Sequence, residues 1–118
     1  MSFYYRVNNA IGRANSALNQ LYSYNSYSHP RSEPNASIRN NARLMIDPLV
    51  YDLKQAVREG RYQRVPSSNA RQALRAADML QAATWSLSDL PEQGRPTNVS
   101  AAQYQIREAI NLLNRARW

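Results

Sequence analysis

Apolar residues recur along this chain at alternating three- and four-residue steps. The first set is Tyr4, Val7, Ile11, Ala14, Leu18 and Leu21; the last is Val99, Ala102, Ile106, Ala109, Leu113 and Ala116. That spacing places each set on one stripe of a helix, as a coiled-coil-like seam requires. Alanines in alternate layers let a neighbouring helix approach closely. Neither stripe holds a polar group suited to a buried site, so both read as structural.

The first helix is predicted from Phe3 to Asn25, with Ser2 placed to cap it and Gly12 as a weak point. It dissolves into the segment from Tyr22 to Pro30, whose Ser, Asn and Pro content reads as a loop. A second helix begins after Pro34, with Asn35 as candidate cap and Ile38, Ala42, Met45, Leu49 and Leu53 or Ala56 as its buried face. Pro48 lies inside it. Its ring removes the bond to the Leu44 carbonyl, so a kink or a break is predicted there, and a kinked single helix ending at Gly60 is the preferred reading. Residues 61–66 form a short connection. Ser67 or Ser68 is placed to cap a third helix with apolar positions Ala70, Leu74, Ala77, Leu80, Thr84 and Leu87 and with Ala73, Ala76 and Ala83 beside them. Asp89, Leu90 and Pro91 end it. The fourth helix follows Thr97, with Ser100 and Gln103 as an alternative capping box. Four helices of similar length with short to moderate loops predict an all-α fold: one domain over residues 1–118, an up-down-up-down four-helix bundle, its second helix kinked or broken near Pro48.

The 118-residue length is that of one ordinary domain. No apolar run approaches the roughly 18 residues of a membrane span, so a soluble chain without membrane insertion is expected. No basic and apolar leader follows Met1; if the protein is exported, its targeting segment lies outside this sequence. Cysteine is absent, which removes disulfides, thiolate nucleophiles and zinc-thiolate or iron–sulfur sites. Titratable groups for acid–base catalysis are few: His29, four Asp and four Glu. His29 precedes a proline in the loop and reads as a solvated residue. Di-iron bundles need Glu-x-x-His pairs on facing helices, and the chain has none. Asp47, Asp52, Asp78 and Glu108 fall within helices, where pairing with Arg43, Arg75 or other arginines is the favoured role. Three isolated glycines cannot build a phosphate loop. Two glycosylation-type triplets, at Asn35 and Asn98, read as chance matches in an Asn-rich chain. The expectation is a non-enzymatic protein without cofactor or metal.

Basic residues change the picture more. Fifteen Lys and Arg, of which only Lys54 is lysine, stand against eight acids, for a net charge of +7. Such a balance favours acidic partners or a polyanion at low salt, and guanidinium groups pair bidentately with carboxylate and phosphate. The pairs Arg39 with Arg43 and Arg71 with Arg75 each project from one helix face. With the run Arg58, Arg61 and Arg64, and with Arg115 and Arg117, they form a candidate basic surface; the competing reading is an ordinary solvated face. Tyr62 is the one aromatic interleaved in the arginine run. Tyr22, Tyr24 and Tyr27, next to Arg31, make a tyrosine-rich basic loop suited to contact with another protein, or to capping the bundle core. Trp85 reads as core or edge packing and Trp118 as an anchor.

One further set of features carries a resemblance. The Arg-Glu-Gly-Arg-Tyr connection from Arg58 to Tyr62, the Ser-started helix at Ser67 with Leu74 and Leu80, the Arg95-Pro96 entry and the final amphipathic helix resemble the small four-helix extrinsic subunits and assembly factors of photosystem II. The likeness covers about half of the chain. It implies a non-enzymatic protein of the thylakoid lumen that docks electrostatically on membrane-embedded subunits. The chain departs from that pattern in lacking a lipoprotein cysteine and a signal segment. Residues and resemblance together lead to the expectation of a binding or assembly subunit that docks on an acidic protein surface, with a nucleic-acid-associated helical protein as the alternative.

Overall fold

A computed structural model of the chain contains four α-helices: α1 (Phe3–Leu21), α2 (Glu33–Gly60), α3 (Ser67–Leu87) and α4 (Val99–Ala116). The structure describes residues 2–24, 33–88 and 98–117. α1 packs against α2 and α4, and α3 against the same two helices. The chain direction follows from bonds at the helix ends. The Phe3 backbone N–H donates to Gln63 Oε1 at 2.8 Å, and Asn69 Nδ2 donates to the Ala116 carbonyl at 3.1 Å. The starts of α1 and α3 therefore lie with the ends of α2 and α4. At the other end the Asn98 N–H donates to the Ser86 carbonyl at 2.8 Å and Gln103 Nε2 to the Leu21 carbonyl at 3.4 Å. The result is an up-down-up-down bundle two helices across in each direction, 48 × 26 × 20 Å.

The seams keep the alternating spacing throughout. They run Phe3, Val7, Ala10, Ala14, Ala17, Leu21 in α1 and Ala42, Ile46, Leu49, Leu53, Ala56 in α2. In α3 they run Ala73, Ala76, Leu80, Ala83, Leu87, and in α4 Ala102, Ile106, Ala109, Leu113, Ala116. Half of the buried apolar residues among those described are alanine. An alanine seam brings helix axes close and leaves little room for rearrangement.

The α4 stripe matches the expected one, and the other three are shifted in part. Phe3 takes the first layer of α1, and Tyr4 is left 37% exposed. In α2 Ile46 is fully buried and Met45 only half-buried. In α3 the alanines fill the seam and Leu74 stays 42% exposed. Ala77, Leu80, Thr84 and Leu87 of the expected stripe are buried too, so the two stripes share the core and the shift is confined to the start of the helix. The seams of α2 and α3 also continue into polar residues: Asn35, Arg39 and Asn69 are buried at seam positions.

Helix ends show similar adjustments. Ser2 Oγ accepts from the Tyr5 N–H at 3.1 Å, the expected cap. α1 stops at Leu21, short of Asn25. Asn35 lies inside α2 rather than capping it, because the helix starts at Glu33 with Pro34 in its first turn, where a missing N–H costs nothing. α3 begins at Ser67 itself, with Pro66 at the cap position and no side-chain cap bond. Asn98 caps α4, its Oδ1 accepting from the Ala101 N–H at 2.9 Å. α2 continues unbroken through Pro48. Both Pro48 and Leu44 are on the exposed face, so the carbonyl that loses its partner is not trapped in the core.

Candidate functional site at the arginine-rich end

The topology sorts the candidate residues into two groups at opposite ends of the bundle. Arg58 lies in the last turn of α2, Arg61, Tyr62 and Arg64 in the connection, and Arg71 near the start of α3. Arg115 and Arg117 end α4 beside them. Arg75 follows one turn further along α3. Tyr22 and Tyr24, just after α1, are at the other end. Tyr22 and Tyr24 and the arginines around residues 58–71 thus lie at opposite ends of a bundle 48 Å long. Tyr22 is 61% exposed and Tyr24 half-buried. Tyr27, Arg31 and Trp118 lie outside the described residues.

Two arginines leave the candidate surface. Arg39 is only 5% exposed, because position 39 falls on the α2 seam between Asn35 and Ala42. Arg43, beside that seam, is half-buried with its Nε shielded from solvent. Trp85 corrects in the opposite direction. It was expected to pack, yet it is 63% exposed, since the seam passes through Ala83 and Leu87 on either side.

The arginine-rich end has a built framework. Arg6 Nη2 contacts the Glu59 carboxylate at 3.3 Å, tying α1 to α2. Beyond α2 the chain folds back on itself: the Gln63 and Val65 N–H groups both donate to the Gly60 carbonyl, at 3.0 and 3.2 Å. Gly60 is buried in this turn, where a Cβ would stand 3.3 Å from Val65 Cγ2 and 3.6 Å from the Phe3 ring, a tight fit rather than a clash. Asn69, buried beneath, bonds the α4 terminus and lies 3.4 Å from the Tyr4 hydroxyl. On this frame Arg58, Arg61, Arg64, Arg71, Arg75 and Arg115 are all exposed, and Tyr62 is 90% exposed.

What these arginines do not do matters as much. The ion pair between described residues is Arg6 with Glu59. Arg58 donates to Gln55 at 3.0 Å and Arg75 to Gln72 at 3.5 Å. The pairing of Asp47, Asp52, Asp78 or Glu108 with Arg43 or Arg75 is not formed, and Asp47 and Asp78 are exposed. The six exposed guanidinium groups keep their charge unneutralised by described carboxylates. Helix C-termini accumulate partial negative charge, which accounts for Arg58 and Arg115 in part, but not for Arg61, Arg64 or Arg71. Sequence reading missed Tyr4 and Tyr5, which join this end only because antiparallel packing returns the chain start to residues 61–66. The signal was available in the helix order.

Among the described residues, no group of three or more His, Asp and Glu side chains gathers as a metal-binding set, and no helix is long and apolar enough to cross a membrane. Compared with protein-family models, with curated proteins and with solved structures, the chain matches none.

Proposed function

We propose that this protein is a non-catalytic docking subunit that binds an acidic protein surface end-on, through the arginines around the connection between α2 and α3. The observation that carries this reading is the clustering at one bundle end of six exposed arginines free of described carboxylate partners, with Tyr62 projecting among them. Arginine and tyrosine are the residues that dominate protein–protein contact energies, through bidentate pairing and large, stiff contact area. The end of the bundle measures about 26 × 20 Å across, a small face for a stable interface. Docking through it is therefore transient and held mainly by charge. An extrinsic position on a photosynthetic membrane complex, implied by the resemblance in sequence, is one setting of this proposal.

A second reading has one observation in its favour. An aromatic ring exposed among arginines also suits stacking on a nucleic-acid base. Fluorescence anisotropy with labelled poly-L-glutamate and with a mixed-sequence single-stranded oligonucleotide, at about 50 and about 300 mM salt, separates the two. Docking on protein carboxylates gives tighter binding to the glutamate polymer, weakened several-fold by salt and abolished by Arg61→Glu with Arg115→Glu. Preference for the oligonucleotide supports the second reading, and binding to neither refutes both.

A further inference from the structure

The outer faces of α2 and α3 carry the same order of chemistries. Toward the connection between them, α2 presents Leu44, Asp47, Tyr51 and Arg58, and α3 presents Trp85, Asp78, Leu74 and Arg71, all exposed. Each series runs apolar, carboxylate, apolar, guanidinium, at steps of three, four and seven residues that hold it on one stripe of its helix. Leu44 is 65% and Tyr51 64% exposed, although both lie well inside α2. Gln55 keeps Tyr51 and Arg58 in line: its Nε2 donates to the Tyr51 hydroxyl at 2.7 Å and its Oε1 accepts from Arg58 at 3.0 Å. Asp47 and Asp78 make no ion pair with a described residue.

The spacing has a symmetry. The point midway between Asp47 and Arg58 lies about 11 Å along α2 from its end at Gly60, and the point midway between Arg71 and Asp78 lies about 11 Å along α3 from its start at Ser67. Because α2 and α3 are antiparallel neighbours, the two points stand side by side, next to Tyr51 and Leu74. We propose that this face binds a second copy of the chain about a two-fold axis crossing both helices at that level. α2 then lies antiparallel on α2 and α3 on α3, with Arg58 and Arg71 of one copy meeting Asp47 and Asp78 of the other. The same axis carries Leu44 and Trp85 to the level of residues 61–64 of the second copy, where Tyr62 is 90% exposed. One operation therefore covers the large apolar residues that α2 and α3 leave exposed and matches the charges beside them, as a self-complementary interface requires. A parallel arrangement would set arginine on arginine. The long side of the bundle also offers more area than its end. Dimerisation does not depend on docking through the arginine-rich end, and the two are measured separately.

Analytical ultracentrifugation between about 2 and about 500 µM provides the test. The mass is expected to rise with concentration from 13.5 kDa toward twice that value. Asp78→Arg is expected to weaken association at least about tenfold. Adding Arg71→Asp restores it to within about threefold, whereas adding Arg13→Asp on the exposed face of α1, which corrects net charge equally, does not. The chain has no cysteine, so Leu74→Cys, next to the axis, is expected to form a disulfide between two copies on mild oxidation, and Tyr104→Cys on α4 is not. All the substituted positions are exposed, so the helical circular dichroism of each variant is expected to match the parent. A 13.5 kDa particle at every concentration, equal rescue by Arg13→Asp and Arg71→Asp, or equal cross-linking at positions 74 and 104 would each overturn the proposal.

Discussion

Asn69 shows how one buried amide organises the functional end. Its Nδ2 donates to the last carbonyl of α4 while its own backbone opens α3, so it fixes the angle at which two helix termini meet. Buried amides are costly to leave unmatched, and removing this one strands the Ala116 carbonyl. Asn69→Ala is expected to cost about 1–2 kcal/mol in urea unfolding, read as a lower midpoint at unchanged slope. The Arg6–Glu59 pair is a contrast: Glu59 is 42% exposed, so Glu59→Gln is expected to cost less than about 1 kcal/mol in the same measurement. Residues of this kind are hard to read from sequence. Asn69 looks like a capping residue before a helix, and Arg39 like half of an exposed pair, because their seam positions become visible only once the register of α2 and α3 is known.

At the scale of the helix, the alanine seams set both closeness and intolerance. Ala76 is fully buried in α3, and Ala76→Leu is expected to destabilise by about 1–3 kcal/mol, since the added atoms must force closely packed helices apart. Pro48 acts in the other direction. It sits on the exposed face of a helix that continues through it, so Pro48→Ala restores a backbone bond without disturbing packing. It is expected to stabilise by about 1–3 kcal/mol. The existence and order of all four helices were legible in the spacing of apolar residues, and in α4 so was every seam position. α3 was harder to read because Leu74 and Ala73 offer stripes one residue apart, and hydrophobicity alone favours the leucine. The structure buries Ala73 in place of Leu74, and beyond that first turn Ala77, Leu80, Thr84 and Leu87 of the expected stripe are buried together with Ala76 and Ala83.

For the whole molecule, antiparallel topology determines which candidate residues act together. Arg58 to Arg64, Arg71 and Arg115 are distant in sequence yet share one end, whereas Tyr22 and Tyr24 occupy the other. Sequence reading identified both the arginines and the tyrosines but not their placement relative to each other, since composition carries no information about which end a loop occupies. The central claim is that the arginine-rich end is the docking surface. Mapping amide chemical-shift changes as unlabelled poly-L-glutamate is added to the isotope-labelled protein tests it most directly. The account expects the changes to centre on residues 58–71 and 115–117, and to fade as salt is raised from about 50 to about 300 mM. Changes centred on Tyr22 and Tyr24, or spread evenly over Arg13, Arg107 and the other exposed arginines, would contradict it.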